Sequence, residues 1–325
     1  MKKMRILAMC IMIIICFEGS VYANEGYDGS NEPYMECITI TFDNDETKSL
    51  TSYNAQTMED IKTLSYFKQA MDQIEEQGFD LAATTVKSAL SDLIPDDGDL
   101  IAISIKNVYC EEGFVDGERY SKLMTKGEVE AAKRELSVEP MGLIDNSTKT
   151  RGKLTFIASV STTTVAGREL AYYVGTTAEW ATMGSNGELY PASGKDAICV
   201  SWGGDFYRND SKMLIKSFNG NSIPYEPVGY TPNEGYGWAF EDAMTTSGTA
   251  SCMNRAVGGV TLTRIHALDE LTEIFATYVH TYKKLTWSFS VGFSGGDSLT
   301  GGVSVTPSTA TEYWSIVANV PNIAY

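Results

Sequence analysis

The chain has 325 residues, and its 25 Lys and Arg against 42 Asp and Glu give a formal charge of −17. Nucleic-acid binding rests largely on Lys and Arg meeting phosphates, so this charge excludes a nucleic-acid-binding protein. Its 43% apolar and 11% aromatic residues are more than a disordered chain of high charge contains, and they indicate a globular protein of one or two domains.

Residues 1–23 predict a cleavable secretory signal peptide. Three basic residues precede an apolar run over 6–17, and small residues flank a cleavage point before Asn24. The apolar run is shorter than the roughly 20 residues that a membrane-spanning helix needs. We therefore expect a secreted protein with no transmembrane segment after signal removal.

The chain after the signal divides by charge. Residues 24–150 carry 26 acidic and 11 basic side chains, whereas residues 151–325 carry 15 and 11 together with all five Trp. This contrast predicts two units of different architecture. The predicted boundaries are a loose leader at 24–35, an acidic α+β unit at 36–140, a linker at 141–150 and a β-sandwich-like domain at 151–325.

The first unit has the pattern strand, helix, helix, strand, helix. β-Branched residues predict a strand at 37–42, and apolar residues at helical spacing predict a helix from Thr57 to a stop at Gly78. A second helix runs from about residue 80 and ends before Pro95. Alternating Ile residues predict a strand at 100–110, and a capping box from Thr125 to Glu128 opens a third helix.

The second unit changes to a period of two. Apolar residues recur at every second position in several short runs, as in Ile198, Val200, Trp202 and again in Ile274, Ala276, Tyr278. Many such runs separated by Gly, Asn and Ser predict an all-β antiparallel sandwich or open barrel. The predicted fold class is therefore an α+β N-terminal unit followed by an all-β C-terminal unit.

Four cysteines remain after signal removal, namely Cys37, Cys110, Cys199 and Cys252. An even number in an exported chain predicts two disulfides, and we expect Cys37 with Cys110 and Cys199 with Cys252 because each pair falls in one predicted unit. Four separate buried thiols are the alternative.

A zinc site is not expected, since the chain has no Cys-x-x-Cys and only two His. The sequence predicts no metal site and no cofactor.

The sequence contains no complete catalytic set. The segment Gly296-Asp297-Ser298-Leu299 resembles the nucleophile block of the GDSL hydrolases, but the base of that family follows the serine, whereas both histidines of this chain precede it. We interpret the segment as a hairpin connection.

His266 and His280 could face each other across neighbouring strands, with Glu273 as a third ligand of a metal or as an acid/base partner. Single histidines at strand ends are more often structural.

Residues 219–244 predict a long loop rich in aromatic side chains and proline. Long loops without regular structure are often functional in compact domains. Tyr225, Tyr230, Tyr236 and Trp238 would give such a loop flat apolar area with polar edges, which suits a glycan or a protein partner. The other interpretation is that these aromatic side chains fold back as a lid over the core.

The leading functional hypothesis from the sequence is a secreted, non-enzymatic protein that binds an extracellular glycan or protein surface. An exported hydrolase that uses carboxylates or His280 is the alternative. A third hypothesis is a β-hairpin pore-forming protein, because apolar residues alternate with Ser and Gly around residues 285–306. The N-terminal unit could also be a propeptide that is cleaved near residues 141–150.

Overall fold

A computed structural model describes most of the chain after its N-terminal segment. The described residues are 32–42, 58–79, 81, 83–94, 98–116, 118–138, 149–165, 169–182, 195–202, 206–231, 234–246, 249–264, 272–283, 289–294, 302–307 and 312–323. The predicted signal peptide and most of the predicted linker lie outside these ranges.

Three helices and fifteen strands occur within the described ranges. The helices are α1 (Met58–Glu76), α2 (Ala83–Leu93) and α3 (Lys126–Val138). The strands are β1 (Met35–Thr41), β2 (Leu100–Val115), β3 (Glu118–Leu123), β4 (Lys149–Val165), β5 (Glu169–Thr182), β6 (Lys195–Ser201), β7 (Phe206–Ser217), β8 (Tyr225–Thr231), β9 (Gly235–Glu241), β10 (Ala243–Thr246), β11 (Thr249–Arg264), β12 (Thr272–Lys283), β13 (Phe289–Ser294), β14 (Gly302–Pro307) and β15 (Glu312–Ile323).

The strands form two packed antiparallel sheets and one small hairpin. The large sheet has the order β1-β2-β4-β5-β11-β10, with β3 beside β2 and β7 beside β11. The small sheet has the order β15-β12-β6-β9-β8, and β13 pairs only with β14. The predicted order of an α+β part followed by a sandwich is confirmed. No helix in the described ranges is long and apolar enough to cross a bilayer.

The two predicted units share one sheet. β2 from the first unit pairs with β4 from the second over thirteen register positions, from Leu100 opposite Ser161 to Gly113 opposite Lys149. β4 already begins at Lys149, inside the predicted linker. The change in charge and in periodicity along the sequence therefore falls between two strands, β2 and β4, that are neighbours in one sheet.

The helices and sheets make three layers with two cores. Between the sheets lies a large apolar core that includes Phe156, Trp238 and Tyr278. On the other face of the large sheet, α1 and α2 pack against Ile103, Ile105 and other strand residues. The large sheet is therefore buried on both faces where the helices cover it, which explains the unbroken apolar run at 100–103 in β2.

Helix boundaries in the first unit follow the capping signals of the sequence. The Thr125 backbone N–H donates to Glu128 Oε2 at 2.8 Å, and the Glu128 N–H points back to Thr125 Oγ1 at 3.4 Å, which confirms the capping box. Gly78 ends α1 with φ of +64°, and the Phe79 N–H bonds to the Ile74 carbonyl. The apolar side chain of Leu64 on α1 is 56% exposed.

The predicted disulfides are not formed, because no S–S bond joins Cys37, Cys110, Cys199 or Cys252 in the structure. Cys37 lies opposite Lys106, four residues along β2 from Cys110, which separates the two by about 13 Å, beyond the roughly 7 Å between Cα atoms that a disulfide allows. Cys252 lies in the core between the sheets, whereas Cys199 packs on the outward face of the small sheet with Val279. The sequence could not reveal that these two thiols occupy opposite faces.

Two glycines allow close packing on the helix-covered face of the large sheet, and they provide a matched test. A Cβ at Gly259 would lie 2.3 Å from the Val174 carbonyl oxygen, a backbone atom, whereas a Cβ at Gly175 would meet the side-chain ends of Leu93 and Ser159. Side-chain ends can rotate away and a strand backbone cannot.

We therefore expect Gly259→Ala to lower the free energy of unfolding by about 3 kcal/mol and Gly175→Ala by about 1 kcal/mol, within the range for overpacked cores. Urea unfolding followed by tryptophan fluorescence measures both. Equal losses in the two variants would contradict this account of the backbone contact at Gly259.

Candidate functional site

Four ionisable side chains meet at one end of the core between the sheets. Glu112 lies on β2, Asp196 on β6 and His280 on β12, and Asp242 follows the last residue of β9. The residues are Glu112, Asp196, Asp242 and His280, which we call the buried ion cluster. They are between 0% and 4% exposed, so solvent does not reach them.

His280 connects the two sheets through both of its ring nitrogens. Its Nε2 lies 2.7 Å from Oε1 of Glu112, on the large sheet, and its Nδ1 lies 3.0 Å from Oδ2 of Asp196, on the small sheet. A neutral imidazole can donate from only one nitrogen, whereas an imidazolium donates from both. Two carboxylates on opposite sides of the ring therefore favour the doubly protonated, positively charged form.

Asp196 is surrounded by hydrogen-bond donors. Besides His280, the Tyr278 hydroxyl donates to Oδ2 and the Thr281 backbone N–H donates to Oδ1 at 3.0 Å. The Tyr278 oxygen in turn accepts a bond from Trp180 Nε1 at 3.1 Å. A fully buried carboxylate is tolerated only where donors and an opposite charge replace water, and Asp196 has both.

Two tryptophans enclose the histidine ring. The centroid of Trp314 lies 4.8 Å from that of His280, and the centroid of Trp180 lies 5.6 Å away. Trp314 Nε1 also donates to Ser121 Oγ at 3.0 Å, and Ser121 donates to Glu112 Oε1 at 3.2 Å. Aromatic faces stabilise a nearby cation, so this enclosure suits an imidazolium.

The pKa values of His280 and Asp242 are both raised, so each residue keeps its proton to higher pH. Burial alone would lower the pKa of His280, but the Asp196 and Glu112 carboxylates raise it well above its ordinary value. Burial, followed by repulsion from Asp196, raises the pKa of Asp242 to about 8. Asp242 is thus neutral at pH 7, and its Oδ1 accepts a hydrogen bond from the Met253 N–H of β11 at 3.0 Å.

Asp196, Asp242 and His280 could hold a metal ion by residue type, since their ligand atoms lie within 4.8 Å of one another. However, both ring nitrogens of His280 already face carboxylates at hydrogen-bond distance. Protons at these positions satisfy the cluster without an ion. Its residues are also sealed from solvent, so a substrate cannot reach them in this conformation.

A second polar site lies on the outer, helix-covered face of the large sheet. It is an open depression of about 150 Å³ between the C-terminal end of α2 and the edge strand β7, which we call the α2–β7 depression. It is lined by Asp92, Ile94, Thr163, Tyr173, Asp210, Ser211, Lys212, Gly259 and Thr261.

Two of the four aromatic residues predicted as a contact loop, Tyr236 and Trp238, are core residues. The segment is not a loop but the paired strands β8 and β9, followed by β10. Tyr236 and Trp238 are 9% and 1% exposed and pack in the core between the sheets, as the lid interpretation expects. Tyr225 is 45% exposed, and Tyr230 lies on β8. The missed signal is the alternation of Tyr236, Trp238 and Phe240 with small residues.

Sequence reasoning singled out His280 but not its partners. The expected facing residue, His266, lies outside the described residues, as does the Gly296–Leu299 segment. The inward register contained the missing signal, because Asp196 continues the alternation of Ile198, Val200 and Trp202, and His280 continues that of Ile274, Ala276 and Tyr278. Only the packing of the sheets shows that these continuations converge.

Comparisons with known proteins assign no family to this chain. No protein-family model matches it, and no curated protein matches its sequence. Functional inference therefore rests on the residues and their geometry.

The buried ion cluster predicts a stability that falls as pH rises. Unfolded Asp242 ionises near 3.8 and unfolded His280 loses its proton near 6.5, whereas the folded protein retains both protons to higher pH. For these two groups the stabilisation is complete below their unfolded pKa values, and the Asp242 contribution is lost progressively up to about pH 8.

Asp242→Asn removes one of these titrations while keeping an oxygen that accepts from Met253. We expect its melting temperature to change less than that of the wild type between about pH 5 and pH 9, so that the variant gains relative stability at the alkaline end. Asp210→Asn, at an exposed carboxylate on β7, serves as the control and keeps the wild-type profile. Identical slopes for Asp242→Asn and the wild type would contradict a protonated Asp242.

Proposed function

We propose that the protein is an exported, non-enzymatic binding protein that recognises an extracellular glycan or protein surface. The observation that carries this proposal is the sealing of the buried ion cluster. It unites the acid/base groups most suited to catalysis in the described part of the chain, yet its four residues are buried. His280 is already bonded to Glu112 and Asp196, and Asp242 accepts a hydrogen bond from Met253. General acid/base catalysis requires a group within hydrogen-bond reach of a substrate.

The proposed role of the cluster is structural. Glu112 belongs to the large sheet, Asp196 and His280 belong to the small sheet, and Asp242 bonds to Met253 on β11 of the large sheet. If one sheet shifted relative to the other, the paired side chains would separate and a buried charge would lose its partner. Few other alignments of the two sheets are therefore possible. The cluster thus specifies how the sheets align, and recognition is left to the outer surface.

The contact surface we propose is the outer face of the large sheet around β7. β7 is an edge strand that pairs with β11, and it carries the exposed side chains of Tyr207 and Leu214. Its residues 210–212 form one wall of the α2–β7 depression. This surface replaces Tyr236 and Trp238, whose burial leaves them no contact with a partner.

A combined turnover and binding screen tests this function on the mature, secreted chain. We expect no hydrolysis of ester, glycoside or peptide substrates above a heat-unfolded control, and we expect retention on an array of extracellular glycans and surface proteins. The mass of the secreted form should correspond to a chain that begins at Asn24. Turnover that co-elutes with the folded protein, or no retained partner, would contradict the proposal.

Pore formation is a second candidate, which one structural observation favours. β13 and β14 form a separate hairpin that pairs with no strand of either sheet and lies against β8, β12 and β6. Its release would therefore break no ladder of hydrogen bonds in the two main sheets. Cys199 on β6 and Val279 on β12 are fully buried on the outward face of the small sheet, and β14 contacts both of these strands.

Thiol labelling tests hairpin release. In a Cys37→Ser background, a pore-forming protein would expose Cys199 when phosphatidylcholine–cholesterol vesicles are added, while Cys110 and Cys252 in the core between the sheets stay protected. Dye would leak from the vesicles in the same experiment, and deletion of residues 289–307 would abolish the leakage. Protection of Cys199 together with intact vesicles would dismiss this candidate.

A further inference from the structure

The α2–β7 depression contains a buried polar group without a partner. Tyr173 is 6% exposed, and its hydroxyl makes no hydrogen bond to any described residue. Buried hydroxyls are nearly always bonded, and an unpaired one costs about 1–3 kcal/mol. An unpaired hydroxyl that lines a cavity is therefore an unused contact for a ligand.

Gly259 creates the room for this side chain. A Cβ at that position would lie 2.8 Å from both Cζ and the hydroxyl oxygen of Tyr173. The Tyr173 ring can therefore cross over β11, and its hydroxyl reaches the wall that β7 provides. Lys212 Nζ lies 4.9 Å from the ring centroid and so stabilises the ring in this position.

Charges of both signs line the depression. Asp92 and Asp210 are acidic and Lys212 is basic, and Arg255 holds Asp92 in place through an ion pair. Burial, with Asp92 and Asp210, raises the pKa of Tyr173, so its hydroxyl stays protonated and can both donate and accept. The hydroxyls of Thr163, Ser211 and Thr261 add further polar groups to the lining.

The size of the depression fits one six-membered ring. Its volume is about 150 Å³, and an engineered protein cavity of about this volume holds one benzene molecule. A largely polar lining disfavours an apolar ring, because unpaired carboxylates and hydroxyls would face it. The open side allows a bound ring to be the end or a branch of a longer chain.

We propose that the α2–β7 depression binds a single pyranose ring of a neutral saccharide, with the Tyr173 hydroxyl hydrogen-bonded to a sugar hydroxyl. The assignment rests on the proposed binding function and specifies its ligand class. Asp92 and Asp210 accept hydrogen bonds from sugar hydroxyls, and Lys212 donates one. Asp92, Asp210 and Glu179 outnumber Lys212 and Arg255, and this net negative charge disfavours an anionic sugar, because repulsion adds to the desolvation of its charge.

Calorimetric titration with neutral hexoses, N-acetylhexosamines and hexuronic acids tests the proposal on the mature chain. We expect a neutral sugar to bind, and we expect Tyr173→Phe to weaken its binding about tenfold, which corresponds to one lost hydrogen bond. Because the hydroxyl has no partner among the described residues, this variant should melt at the wild-type temperature or higher.

Two further variants make the result specific. Tyr225→Phe removes a hydroxyl from an exposed tyrosine on β8 of the small sheet, outside the lining of the depression and the contact surface around β7, and it should leave sugar binding unchanged. Asp210→Asn removes a charged acceptor from the wall and should weaken binding at least as much as Tyr173→Phe.

Each outcome separates this proposal from the proposed function. Preference for a hexuronic acid, or equal affinity of Tyr173→Phe and the wild type, overturns the site. Absence of sugar binding, with retention of a protein partner that Tyr173→Phe does not alter, overturns the site and leaves the binding function intact. Turnover of a substrate overturns the binding function, whether or not a sugar binds.

Discussion

The contact of His280 with Glu112 on one side and Asp196 on the other is the constraint on which the sandwich depends. Two acidic side chains buried between sheets are strongly unfavourable alone, and a cation between them makes the arrangement tolerable. Removal of one partner from such a group costs about 3–5 kcal/mol in other proteins, because the remaining charge stays buried. Thr281 and Tyr278 donate further hydrogen bonds to Asp196, and Ser121 donates one to Glu112.

The buried ion cluster and the α2–β7 depression lie on opposite faces of the large sheet. The inward face of β2 supplies Glu112 and the core, while the outward faces of β5, β7 and β11 supply Tyr173, Lys212 and Gly259. In the cluster, His280 and Asp196 use all their side-chain polar atoms in hydrogen bonds, and Glu112 and Asp242 each accept at least one. In the depression the Tyr173 hydroxyl has no partner among the described residues, although it is as well buried. This difference in hydrogen bonding, rather than the number of charges, distinguishes a structural site from a candidate ligand site.

Local signals in the sequence predicted much of the fold. Helical spacing and the Thr125–Glu128 capping box located the helices, because these signals depend on residues three or four positions apart. Period-two alternation indicated the sandwich, because this pattern also depends only on residues that are close in the chain. The aromatic segment was misjudged because Gly and Pro obscured the alternation of Tyr236 and Trp238, which pack inward. The disulfides were misjudged because chain proximity carries no information about which face a residue occupies.

The sequence by itself determined the acidic character of the chain, its helical N-terminal part and its antiparallel β architecture, since composition and short-range periodicity specify all three. It also marked His280 as a residue of interest. The tertiary structure alone decided that Glu112, Asp196 and Asp242 meet this histidine, that Tyr236 and Trp238 are core residues, and that Tyr173 lines an open depression. The physical reason is that each of these relations joins strands far apart in the chain, and their pairing and stacking depend on the whole set of sheet contacts at once.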